Sequence, residues 1–167
     1  PEFIMIKARE TADNWMVGHS NLGWGNALFL DLTSASSDNT AYWNDTAPTS
    51  SVFTISTSGK GNDPHKRMIA YCWHSVPGYS KMGKYKGNGS TTGTFVYLGF
   101  RPAFVMIRSI ENTRNWQMLD SVRSPNNPKV EFLRANSNAI EGSAHNVDFY
   151  SHGMMMRNTD ADYNNSG

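Results

Sequence analysis

Pro1-Glu2-Phe3-Ile4-Met5-Ile6-Lys7 opens the chain, and Pro102-Ala103-Phe104-Val105-Met106-Ile107-Arg108 repeats the same pattern. Each stretch is a short, continuous apolar run, which is typical of a buried β-strand. The offset of 101 positions (102 − 1 = 101) is kept from Asn14-Trp15 to Asn115-Trp116. Eight of the first twenty positions are identical at this offset, which is far above chance. The sequence therefore predicts an internal duplication, the feature that decides the fold.

The repeat divides the chain into residues 1–101, a first unit, and residues 102–167, a second and incomplete unit. We expect both to pack as one β domain. The first unit continues through Tyr71-Cys72-Trp73 and Phe95-Val96-Tyr97-Leu98, whereas the second ends before any counterpart of these runs. We therefore expect the parent protein to continue past Gly167, or a neighbouring chain to complete the second unit.

Short apolar runs separated by turn residues continue along the rest of the chain. Leu28, Leu30 and Leu32 alternate with Phe29 and Asp31, and this period of two is typical of strands. Phe53 and Ile55 alternate with Thr54 and Ser56 in the same way. Pro77-Gly78 is one of several turn signals between the runs. Helical spacing is not sustained beyond a turn or two. The pattern predicts an all-β antiparallel sandwich of the jelly-roll or lectin-like kind.

Composition limits the classes of partner. Charged residues make up 17% of the chain and the net charge is +1, so we expect neither nucleic-acid binding nor attraction to an anionic membrane. No apolar run approaches transmembrane length, so membrane insertion is not expected. The single cysteine, Cys72, excludes an intrachain disulfide. Because it lies in the apolar run 68–73, we expect it to be a buried core residue.

No motif for catalysis or metal binding stands out. Residues 158–164 resemble the start of a calcium loop, but Asn165 occupies the position of the required glycine and no acid closes the loop. The five histidines lack zinc spacing, and no Gly-x-Ser-x-Gly elbow is present. A Ser-His-Asp triad assembled from distant residues stays open. We predict a non-enzyme with no catalytic residues, metal or cofactor.

Two loop-like segments combine aromatic rings with hydrogen-bonding side chains, a mixture typical of sugar-binding sites. The predicted ligand-binding residues are Trp24, Trp43, Tyr42, Asn44 and His19. The alternative is that Trp24 and Trp43 simply cap the core. Trp15 and Trp116 occur in both repeats and are predicted to be scaffold or core residues, whereas Trp73 has no aligned partner and stays open.

The segments Tyr79-Ser80-Lys81-Met82-Gly83-Lys84-Tyr85 and Phe95-Val96-Tyr97-Leu98-Gly99-Phe100-Arg101 lead into the second repeat. This sequence is similar to a repeated domain in structural, tail-fibre-like proteins of marine tailed phages. The resemblance implies a lectin-like or SPRY-like fold and an extracellular location on the virion. It also implies that the partners are other copies of the domain or other virion proteins. It supplies no catalytic residues.

Together these observations predict a virion structural module, of a tail fibre or decoration protein, with adhesion to host-surface glycan as an added role. The alternative is a carbohydrate-binding module attached to a hydrolase. A hydrolase is the third hypothesis, and it would require turnover that depends on a particular carboxylate or histidine.

Overall fold

The computed structural model describes residues 1–166, and all of its regular secondary structure in that range is β. Eleven strands form three sheets, and every strand pairing within them is antiparallel. The predicted all-β antiparallel class is therefore confirmed. Gly167, the last residue of the predicted second repeat, lies outside the described residues.

The contacts divide the chain into two compact units. Unit 1 comprises Pro1–Ser75 with Ile110–Thr113, and unit 2 comprises Val76–Ser109 with the chain from Arg114 onward. The division falls after Ser75 because the strand Phe95–Tyr97 pairs with a strand near the end of the chain. The sequence repeat divides the chain after Arg101 instead. That boundary reflects sequence similarity rather than packing, and it stays a prediction.

Unit 1 contains one five-stranded sheet in the order β4-β3-β2-β1-β5. Its strands are β1 Phe3–Ala8, β2 Met16–His19, β3 Asn26–Phe29, β4 Ser37–Asp38 and β5 Met68–Trp73. Side chains alternate across the sheet, so Ile4 and Ile6 of β1 point to one face. There they pack with Met16 and Trp43 in the buried core.

Unit 2 contains two three-stranded sheets, in the orders β10-β11-β6 and β7-β8-β9. Its strands are β6 Phe95–Tyr97, β7 Phe104–Ile107, β8 Gln117–Asp120, β9 Leu133–Arg134, β10 Val147–Tyr150 and β11 Gly153–Met156. Val105 and Leu119 of one sheet and Phe149 and Met156 of the other belong to one buried cluster. Two sheets with a shared core are the arrangement of a β-sandwich.

The first hairpins of the two units have the same register. Phe3 lies opposite His19 in one, and Phe104 lies opposite Asp120 in the other, so both members of the pair shift by 101 positions. The backbone N–H of the tryptophan before each second strand donates to a side-chain oxygen, 2.9 Å away in unit 1 and 2.8 Å away in unit 2. These matches support the predicted duplication, which stays a prediction.

The packing beneath the two hairpins differs. Gly18 of β2 lies against the indoles of Trp24 and Trp43, so closely that a Cβ atom there would be 2.6–2.8 Å from their ring carbons. Leu119 occupies the equivalent position of β8 (18 + 101 = 119) and is fully buried. In unit 1 the space next to Gly18 is therefore filled by the side chains of Trp24 and Trp43, which lie outside the strands. In unit 2 the side chain of Leu119, within β8, fills the equivalent position.

We expect Gly18→Ala to lower the free energy of unfolding by roughly 1–3 kcal/mol, because the added methyl overpacks two large rings in a dense core. Gly83→Ala is the matched control, since an added Cβ there meets no atom within 4 Å. Urea unfolding of both variants measures the effect. Equal midpoints for the two variants would contradict the packing described here.

Candidate functional site

A row of aromatic rings lies on the face of the unit 1 sheet opposite the core. The register of β1 with β5 puts Trp73 opposite Phe3 and Tyr71 opposite Met5, on one face of the sheet. The register of β1 with β2 brings His19 to the same face, opposite Phe3. We call the set Trp15, Tyr71, Trp73, Phe3 and His19 the aromatic row.

The rings of the aromatic row form a continuous series of contacts. Trp15 stacks on Tyr71 with centroids 6.2 Å apart and planes 28° apart. Tyr71 stacks on Trp73 at 6.1 Å and 20°. Trp73 then contacts Phe3 at 5.3 Å, and Phe3 meets His19 edge-on at 6.0 Å. The rings of Trp15, Tyr71 and Trp73 are thus nearly parallel and form one stack with Tyr71 in the middle.

The exposed part of the aromatic row is its β5 end. Tyr71 is 41% exposed and Trp73 is 37% exposed, whereas Phe3 is buried beneath them and Trp15 is half-buried. A rigid strand therefore presents two large rings to solvent with their orientations fixed by neighbouring rings. Such rings offer apolar faces to a ligand together with a polar edge, the Tyr hydroxyl or the Trp N–H.

His19 adds a hydrogen-bonding group at the other end of the aromatic row. Burial lowers the pKa of this histidine, with the nearby Glu2 carboxylate opposing the shift, so the ring is neutral at pH 7. Its Nδ1 accepts the backbone N–H of Asn21 at 3.0 Å. This bond assigns the proton of the neutral ring to Nε2, which makes Nε2 a donor.

The other four predicted site residues lie elsewhere in unit 1. Trp43 is fully buried, with its indole edge-on to Trp24 at 5.5 Å, so it has no face to offer a ligand. The prediction of Trp43 as a ligand-binding residue is therefore corrected: it is a core residue, as the alternative interpretation held. Its buried Nε1–H has no hydrogen-bond partner among the described residues. Trp24 is half-buried and packs against the same core.

Tyr42 and Asn44 flank Trp43 and have local structural contacts. The Tyr42 ring meets Phe29 edge-on at 6.0 Å, and its hydroxyl lies 3.4 Å from the Ser37 hydroxyl. Asn44 is exposed and adopts a positive φ of 53°, a conformation that asparagine tolerates in turns. A ligand-binding role for Tyr42, Asn44, Trp24 and His19 stays a prediction, and of these only His19 lies in the aromatic row.

The sequence interpretation missed Tyr71 and misjudged Cys72. The alternation of Ile69, Tyr71 and Trp73 with smaller residues was the available signal, because it places three large side chains on one face of a strand. Cys72 is exposed rather than buried, so the core prediction for it is wrong. The physical reason is that β5 lies at the end of its sheet. Trp116 is buried as predicted, whereas Trp15 is only half-buried.

Unit 2 contains a buried polar cluster around His145. Its Nε2 lies 2.9 Å from Oε1 of Gln117, and the Gln117 side-chain amide in turn donates to the carboxylate of Asp162. The imidazole stacks on Phe132 at 3.7 Å, and its Nδ1 lies 3.7 Å from the Asp160 carboxylate. Burial lowers the pKa of His145 to about 4, against the opposing effect of Asp160. The His145 ring and Gln117 are both buried, so we interpret the cluster as a hydrogen-bond network that stabilises the fold.

Two further features bear on the chemistry of the chain. Residues 1–166 contain no group of three or more His, Cys, Asp and Glu side chains placed to hold a metal ion. The same residues form no helix long and apolar enough to cross a membrane.

Fold and surface together define an all-β chain whose unit 1 carries exposed aromatic rings. One family model, described as a domain of unknown function (DUF7483), matches residues 1–167, and the chain belongs to this family. Neither a search of curated proteins nor a search of solved structures finds a match to the chain. The family description names no ligand or activity.

We expect the chain to lose stability as the pH falls from 6.5 towards 4, by an amount of the order of 1–3 kcal/mol from His145. The buried ring binds a proton less readily than the same ring in the unfolded chain, so in this window the unfolded state takes up more protons. The stabilisation is complete above pH 6.5 and is lost on acidification.

Urea unfolding at pH 7 and at pH 4.5, for the native chain and for His145→Gln, measures this effect. Burial also lowers the pKa of His19. Both proteins contain His19, so the difference between their pH dependences reports His145 alone. We expect a shallower pH dependence in the variant. The same pH dependence in both proteins would contradict a neutral, buried His145.

Proposed function

We propose that the chain is a non-catalytic module of a phage virion, in a tail fibre or decoration protein, and that it binds host-surface glycan through the aromatic row. The observation that carries the binding role is the pair of exposed, nearly parallel rings of Tyr71 and Trp73. The virion setting and the extracellular location rest on the resemblance to repeated domains of marine phage structural proteins.

The geometry of the aromatic row favours a sugar over other small ligands. The rings lie on a sheet face rather than in an enclosed cavity, and the exposed parts of Tyr71 and Trp73 offer apolar surface to a pyranose ring. The three stacked rings, Trp15, Tyr71 and Trp73, are uncharged, so an ionic ligand gains no partner from them. Neutral His19 supplies a donor for a hydroxyl group. Two of the rings belong to β5 and are held by its hydrogen bonds to β1, which limits the entropy lost on binding.

The partners in this proposal are other copies of the domain, other virion proteins and the glycan, with no role for nucleic acid or membrane insertion. The same aromatic row also suits the alternative function, a carbohydrate-binding module attached to a hydrolase. The two functions differ in the parent gene, where a neighbouring hydrolase domain would favour the second.

We expect a glycan array to detect binding that is weakened by Tyr71→Ala and by Trp73→Ala. Loss of one stacking ring costs about 1 kcal/mol, which is about a fivefold rise in Kd. Tyr79→Ala is the matched control, because Tyr79 is 82% exposed and lies outside the aromatic row.

Urea unfolding of each variant shows whether the fold is intact. Binding that is unchanged in both row variants, or weakened equally in the Tyr79 control, would reject the aromatic row as the binding surface. No binding by the native chain to any glycan would leave a structural spacer as the function.

A further inference from the structure

β5 is an edge strand with an open row of backbone groups. It lies at the end of the unit 1 sheet, and within residues 1–166 it pairs only with β1. Arg9 N–H donates to the Arg67 carbonyl at 2.9 Å, which continues the β1–β5 ladder and identifies its hydrogen-bonded positions. Because those positions alternate, Ile69, Tyr71 and Trp73 bond to β1, while the N–H and C=O groups of Met68, Ala70 and Cys72 point away from the sheet.

Both faces of this edge strand are also uncovered. Every residue from Ile69 to Trp73 is exposed, although all five are uncharged and three carry large apolar side chains. Proteins normally protect sheet edges with charged residues, prolines or bulges, and the six residues of β5 contain none of these. A six-residue apolar edge of this kind is a template for pairing with another strand.

We propose that β5 pairs with the β5 strand of a second copy of this chain, antiparallel and across a two-fold axis. The pairing would join the two unit 1 sheets into one continuous ten-stranded sheet. The proposal does not depend on glycan binding, because it uses the backbone edge of β5 rather than its aromatic side chains.

The occupant is a second copy because β5 is complementary to itself. Two identical uncharged strands can lie side by side without repulsion between like charges. An antiparallel arrangement brings the first end of one strand next to the last end of the other. The first end carries the Arg67 guanidinium, whose side chain is 74% exposed and whose Nε is bonded to the Glu10 carboxylate. The last end carries the Glu2 carboxylate, which accepts the Ser75 N–H at 2.6 Å. At each end a guanidinium whose Nε is bonded to Glu10 therefore comes next to the Glu2 carboxylate.

The open hydrogen-bonding positions limit the register. Only Met68, Ala70 and Cys72 present N–H and C=O groups to the partner, so they must bond to the same set of residues in the second copy. Opposite residues of an antiparallel pair share a face, so both aromatic rows would lie on the same side of the joined sheet. The interface is isologous and closes at two copies.

Sedimentation velocity of the native chain under reducing conditions tests the proposal, over about 10 μM to 1 mM because strand-edge interfaces are small and weak. The reductant excludes a disulfide between Cys72 residues. We expect the mass of a dimer at the upper concentrations. The test variant is Ala70→Pro, which removes an N–H that points away from β1 and leaves the β1–β5 ladder intact.

Ala12→Pro, the same change at an exposed residue outside the sheet, is the matched control and should still dimerise. Cys72→Lys is the second variant, since it places a charge on each side of the two-fold axis without altering the backbone. We expect both edge variants to be folded monomers with the unfolding midpoint of the native chain. If Ala70→Pro fails to fold, Cys72→Lys decides.

A native chain that stays monomeric at about 1 mM would overturn the proposal. Folded edge variants that still dimerise would overturn it as well, because the interface would then lie elsewhere. Loss of glycan binding without loss of dimers, or the reverse, separates this proposal from the proposed function.

Discussion

The central position of β1, hydrogen-bonded to β2 on one side and to β5 on the other, is the constraint on which unit 1 depends. This double ladder fixes which side chains of β1 enter the core and which support the aromatic row. A slip of one residue would exchange Ile4 and Ile6 with Phe3 and Met5, and would turn Tyr71 and Trp73 to the opposite face. The core and the outer surface are therefore specified by the same hydrogen bonds.

The strands could be predicted from sequence because their cause is local. The apolar runs that begin at Phe3 and Phe104 coincide with β1 and β7 and report β propensity directly, whereas the alternating Phe53 and Ile55 lie in no strand. Exposure has a different cause, because it depends on which strands become neighbours. The run 68–73 therefore looks like a buried strand, although β5 lies at the edge and exposes Cys72. Likewise, no local signal shows that the loop residue Trp43 folds back over Gly18.

Comparison of the two units shows how one hairpin register accommodates different cores. Met16 and Gln117 occupy equivalent positions (16 + 101 = 117), and both are fully buried. The methionine needs only apolar neighbours, whereas a buried amide requires hydrogen-bond partners, and these are His145 and Asp162. The polar residue in β8 therefore accounts for the buried histidine, and it makes unit 2 sensitive to acid in a way that the methionine of β2 does not.

β5 combines two surfaces that act through different atoms of one strand. Its Tyr71 and Trp73 side chains belong to the aromatic row, while the N–H and C=O groups of its even-numbered residues form the open edge. The two surfaces are compatible because the aromatic side chains stand out of the sheet, whereas the open N–H and C=O groups of Ala70 and Cys72 lie in its plane. An edge pair would also place two aromatic rows in one plane, where a single repetitive glycan can reach both. The second contact would then be intramolecular, so a weak site gains avidity without any change in the rings themselves.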